Sequence, residues 1–163
     1  MKVLPWLGAA ALAVGVAILV PAAGSGAADS PPSLEEDFNY PGAAAILAEH
    51  GVKLHKGDGH VLWTGSRPME SGSPCLSTEV QVEQILGPEA NYHCFRTLGA
   101  TGYLTLEISG TFGIRGGART VEATAQLPEG PAEFTIPAGK PVPIRPGSDA
   151  DQPEATLVEI RIA

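Results

Sequence analysis

Apolar and polar residues change their spacing once along this chain, between Gly51 and Val52. Before that point, Asn39-Tyr40-Pro41 offers a helix start, Ala43-Ala44-Ala45-Ile46-Leu47-Ala48-Glu49-His50 a short helical body and Gly51 a stop. One helix is predicted, too short to be stable alone, with Ile46 and Leu47 packing against a sheet. Beyond it the period is two as far as the C-terminus, the signature of strands with one buried face.

Residues 52–55 and 60–63 flank Lys56-Gly57-Asp58-Gly59, and the Asp-Gly pair predicts a tight hairpin with Val52, Leu54, Val61 and Trp63 on one face. Residues 65–74 are expected as a long loop, 76–83 and 92–98 as strands, and 87–91 as a second loop. In 103–108, Leu104, Leu106 and Ile108 alternate with Tyr103, Thr105 and Glu107, so one face is buried. Thr111–Arg115 and 119–127 flank Gly116-Gly117-Ala118 as a second hairpin. Residues 132–136 and Thr156–Ile162 complete the strands, and the Pro- and Gly-rich 137–153 reads as a loop with one extended piece at Pro141-Val142-Pro143-Ile144. Strands joined by turns predict a mainly β fold, an antiparallel β-sandwich or jelly-roll-like domain with one short N-terminal helix. A parallel α/β sheet would need helices between the strands.

The first residues carry a different pattern. Met1-Lys2 precedes an uncharged apolar run from Val3 to Val20, followed by Gly24-Ser25-Gly26-Ala27-Ala28. This is the layout of a secretory signal peptide, with cleavage after Ala27 or Ala28. An uncleaved membrane anchor is the rival reading, and the lack of a Cys at the end of the run speaks against a lipoprotein. The expected organisation is a signal peptide over 1–28, a flexible leader over 29–38 and a single β-sandwich domain over 39–163. Localisation is then extracellular, with no membrane contact after cleavage.

Charge narrows the partners. The chain carries a formal −8, and removing Lys2 with the signal peptide leaves −9. Lys and Arg do not cluster, so nucleic acid and anionic membranes are excluded as partners. Cys75 and Cys94 are the two cysteines, and in an exported chain they are predicted to form a disulfide tying two strand segments of one β core. The closed loop contributes about 3 kcal/mol in the chain-entropy model.

Candidate chemistry is sparse. His55 and His60 fall on one face of the predicted first hairpin and could hold a metal ion if a carboxylate or third histidine joined them; His50 and His93 are not placed by spacing. The same pair fits ordinary sheet histidines. Asp149, Asp151 and Glu154 alternate as in part of a calcium loop, without the rest of its ligands. Ser71-Gly72-Ser73-Pro74-Cys75 offers a serine but no base or oxyanion donors, and no helix follows as in a nucleophile elbow. Trp63 is assigned to the core, whereas Tyr92 and Tyr103 are candidates for a surface binding face.

Four stretches resemble a group of small, uncharacterised secreted proteins of actinomycetes: Tyr40-Pro41-Gly42-Ala43 into Ile46-Leu47-Ala48-Glu49; Leu54-His55-Lys56-Gly57-Asp58-Gly59-His60-Val61; Cys94-Phe95-Arg96 with Gly102-Tyr103-Leu104-Thr105-Leu106-Glu107-Ile108; and Ala155-Thr156-Leu157-Val158-Glu159-Ile160. The resemblance implies an exported β domain and no known activity. The function expected from these features is a secreted, non-enzymatic β-sandwich acting as a binding or interaction module, without a cofactor, for a protein or a cell-wall carbohydrate. The competing expectations are a small metal-dependent hydrolase using His55 and His60, and a protease inhibitor presenting the 65–74 loop.

Overall fold

Successive side chains on a strand point to opposite faces, and here the apolar halves of two sets of strands are turned towards each other. The computed structural model describes residues 38–72, 74–144 and 155–162, all within one compact unit, Glu36–Ala163. In chain order come helix α1 (Ala43–His50) and strands β1 (Lys53–Gly57), β2 (Val61–Pro68), β3 (Val80–Leu86), β4 (Glu89–Thr97), β5 (Gly102–Ser109), β6 (Thr111–Arg115), β7 (Val121–Leu127), β8 (Gly130–Ile136), β9 (Pro141–Pro143) and β10 (Thr156–Ile162). They form two antiparallel five-stranded sheets, ordered β1-β5-β10-β7-β8 and β2-β4-β3-β6-β9. The fold is the expected β-sandwich. The signal peptide, most of the leader and the Asp149, Asp151 and Glu154 cluster lie outside the described residues.

Between the sheets, Leu54, Leu104, Leu106, Ile108, Val121, Ala123, Ala125, Leu157 and Ile160 meet Val61, Val80, Val82, Phe95 and Ile114. Burial of this apolar area is the main driving force for the fold. On β10 the core positions Leu157 and Ile160 are three apart, because the register shifts between Leu157 and Glu159 against both neighbours. The bulge restores the inward direction after one extra residue.

Neither hairpin expected from the turn signals forms. β1 pairs with β5 while β2 pairs with β4, so Asp58-Gly59 carries the chain from one sheet to the other. Val52 and Leu54 therefore share the core with Val61 and partly buried Trp63 from the opposite sheet. Likewise β6 and β7, either side of Gly116-Gly117-Ala118, lie in different sheets. The tight hairpins are β3–β4, where Leu86 pairs with Glu89 around Gly87-Pro88, and β7–β8, where Leu127 pairs with Gly130. Most of 87–91 is thus strand, and so is 65–68, followed by a 3-10 turn at Met69–Ser71.

Helix α1 ends where predicted: Gly51 is left-handed at φ 68° and its N–H donates to Leu47 O at 3.0 Å. Ala43 and Ile46 pack on the core, but Leu47 is 42% exposed. A helix this short docks along the Ala43, Ile46, His50 line, leaving Leu47 at its margin. β9, with Pro141 and Pro143, lies at the edge of its sheet, where a missing N–H is tolerated.

Candidate functional site

Towards the β3–β4 hairpin, the inner face of the second sheet changes from apolar to polar. Along β3 the inward positions run Val80, Val82, Gln84; along β4 they run Phe95, His93, Asn91. On β2, strict alternation from Trp63 would turn Ser66 outward. A register shift between Trp63 and Gly65, with Gly65 at φ 146°, instead places Ser66 opposite His93 and Pro68 opposite Asn91. Facing these residues is the end of α1. Together Glu49, His50 and Gly51 with Ser66, Pro68, Gln84, Leu86, Glu89 and Asn91 line a cavity of about 370 Å³, within the size range of small-ligand sites.

The cavity floor is a single hydrogen-bonded chain. Gln84 Nε2 donates to Ser109 O at 2.9 Å, so Gln84 Oε1 faces His93 Nε2, also at 2.9 Å. Because that amide oxygen can only accept, the His93 proton resides on Nε2 and Nδ1 is bare. Ser66 Oγ, 2.7 Å from Nδ1, must then donate its proton inward, so its oxygen is left with lone pairs alone. Gln84 and His93 are both buried, at 8% and 1% exposure. Burial first, and the neighbouring His50 second, push the His93 pKa down to about 4.

The Ser66–His93 contact has the connectivity of an activated serine. A serine nucleophile, however, needs a base whose imidazolium is stabilised, usually by a carboxylate on the far nitrogen. Here that position is held by the neutral amide of Gln84, and burial disfavours the imidazolium. The array therefore sets the hydrogen-bonding polarity of the cavity floor and supplies a weak base. A second set of contacts fixes the wall. Tyr40 Oη accepts from the Trp63 backbone N–H at 2.8 Å, and the His50 ring lies 4.9 Å from the Trp63 ring. Among the described residues lining the cavity there is no Lys or Arg, whereas Glu49 and Glu89 are both present.

The residues singled out from sequence lie elsewhere. His55 Nε2 is 2.9 Å from Glu107 Oε1, on a carboxylate that also accepts from Lys53 Nζ at 2.7 Å. Lys53 first and His55 second hold the Glu107 carboxyl below its ordinary range. His60 instead lies 3.6 Å from Asp58. Burial opposes ionisation of Asp58, but the N–H groups of His60 and Tyr103 and the His60 ring outweigh it and lower its pKa. The two histidines thus have different carboxylate partners. Tyr103 packs against the Arg161 guanidinium, 5.5 Å from the ring centroid, whereas Tyr92 pairs with Glu83 in the other sheet. The two tyrosines form no common platform.

Cys75 and Cys94 are bonded, with their Cα atoms 5.5 Å apart. The staple is placed differently from the expectation: β3 begins only at Val80, so Cys75 lies in a loop on the outer face of β4 rather than on a strand. That loop is held by polar contacts as well. Cys75 N–H donates to Gln81 Oε1, Leu76 N–H and Thr64 Oγ1 donate to the two oxygens of buried Glu79, and Arg115 donates to Cys75 O and Leu76 O.

Sequence reasoning did not assemble the cavity. The one local signal in the sequence is Gly65, a glycine directly after the strand pattern of 60–63, and an isolated strand glycine is a mark of a bulge. No protein-family model matches the chain, and no curated protein matches it.

Proposed function

We propose that this protein is an exported, non-enzymatic binding module that takes its ligand in the cavity between the end of α1 and the inner face of β2, β3 and β4. One observation carries the reading: buried polar groups, Gln84 and His93, interrupt an otherwise apolar inner face where it opens into a cavity. Buried polar side chains cost stability unless fully bonded, and convergent polar groups in a concave site are what ligand recognition requires. Export is supported by the signal-peptide pattern and by a disulfide, which persists in oxidising compartments. The partner is a cell-wall component or an exposed segment of another exported protein.

The test is chemical-shift mapping on isotopically labelled protein with n-butylammonium, N-acetylglucosamine and butyrate as probes. Saturable shifts at His50, Ser66, Gln84 and Asn91 are expected for one of them, abolished by the cavity-filling Asn91→Trp. Binding that maps instead to the depression between Asp58, Tyr103 and Arg161 on the other sheet would sink the proposal.

A further inference from the structure

We infer that the cavity selects a primary alkylammonium group; the inference rests on the cavity being the binding site and names its ligand chemistry. The direction of the hydrogen bonds sets the polarity of the cavity floor. Ser109 O is an obligate acceptor, and each step from it, through Gln84 and His93 to Ser66, is forced. At the end of the chain Ser66 Oγ can only accept from a ligand. A hydroxyl is ordinarily both donor and acceptor, so this network removes the ambiguity. Two residues that carry acceptor carboxylates, Glu49 at the end of α1 and Glu89 at the start of β4, are among those lining the same cavity, and Glu49 Oε2 lies 3.8 Å from His50 Nε2.

An alkylammonium offers three donors and no acceptor on a compact head, the complement of acceptor side chains contributed by three different elements. Its stem needs apolar wall, and Pro68 and Leu86 supply it. Among the described residues lining the cavity there is no Lys or Arg to compete for the carboxylates, and the contact there is from His50 to Glu49. Neither does the floor repel a cation, because His93 remains neutral at neutral pH. An anionic ligand would meet two carboxylates and an oxygen with no proton to give. The net charge of −8 raises the local concentration of cations. The ammonium can belong to a free amine or to a lysine side chain of a partner, and the two sources differ only in what continues beyond the cavity mouth.

Four probes separate the possibilities: n-butylammonium, Nα-acetyl-lysine methylamide, n-butanol and N-acetylglucosamine, each titrated against the labelled protein at low and high salt. We expect both amines to shift Ser66, Gln84 and Asn91, n-butanol to shift none of them, and added salt to weaken the amines. Equal affinities identify a free amine as the ligand; tighter binding of the lysine derivative identifies a partner's lysine. Glu49→Gln and Glu89→Gln, surface changes that leave the core intact, should each weaken amine binding roughly two- to fivefold, and E49K with E89K should abolish it. Cavity shifts from N-acetylglucosamine in the absence of amine binding would overturn the ammonium assignment and leave the binding site standing. No cavity shifts from any probe would overturn both.

Discussion

Ser66 Oγ and His93 Nδ1 lie 2.7 Å apart across the β2–β4 pairing, on the face of the sheet that elsewhere carries Val61 and Phe95. The bulge after Trp63 makes this contact possible by turning Ser66 inward. Every polar atom of the His93 ring is thereby bonded, which is what allows a histidine to sit at 1% exposure.

Removing the donor should therefore cost more than a surface hydroxyl would. Ser66→Ala leaves Nδ1 of His93 buried and unsatisfied, and the expected loss is about 1–3 kcal/mol. Urea denaturation checks this; a change below a few tenths of a kcal/mol would mean that Nδ1 finds another donor.

Acid should destabilise the protein through His93. Its folded pKa is about 4 against an ordinary 6.5, so the unfolded chain binds the proton more tightly. The resulting stability is fully present above about pH 6.5 and is lost as pH falls to about 4, a total of about 3 kcal/mol. His93→Gln should flatten the stability profile over that interval. Equal slopes for the two proteins between these pH values would show that other groups carry the acid sensitivity.

Reduction of Cys75–Cys94 should cost about 3 kcal/mol for a separation of 19 residues, while the outer loop stays in place. Glu79 and Arg115 hold it independently through Leu76 and Cys75. Hydrogen exchange should show faster exchange at Cys75 and Leu76 and unchanged protection in β3 and β4. Exchange spreading through β4 would identify the disulfide as the sole brace.

Gly110→Ala should be among the most damaging glycine substitutions. The residue links β5 to β6 at φ 75°, its carbonyl accepts from Ile85 N–H at 2.9 Å, and an added Cβ would collide with Ile85 O. A loss of at least about 2 kcal/mol is expected from the backbone conformation and the clash together. Thermal or urea unfolding measures it, and a near-neutral result would mean the β5–β6 link can shift.

What the chain determined by itself was whatever depends on neighbours in sequence. The two-residue period located the strands, Gly51 ended the helix, the extended piece at 141–144 stood out from its loop, and two cysteines marked a bond. Those features are set within a few residues. Sheet membership is not: Val52 and Leu54 alternate identically whether they share a face with Val61 and Trp63 or confront them across a core, and pairing with β5 decides the matter. The cavity belongs to the same class. Ser66, Gln84, His93, Asn91 and His50 come from four separate elements, and Ser66 joins them because the bulge at Gly65 reverses its direction. Tertiary structure alone decided the site, because strand pairing and bulge placement are settled by which apolar faces can be buried together.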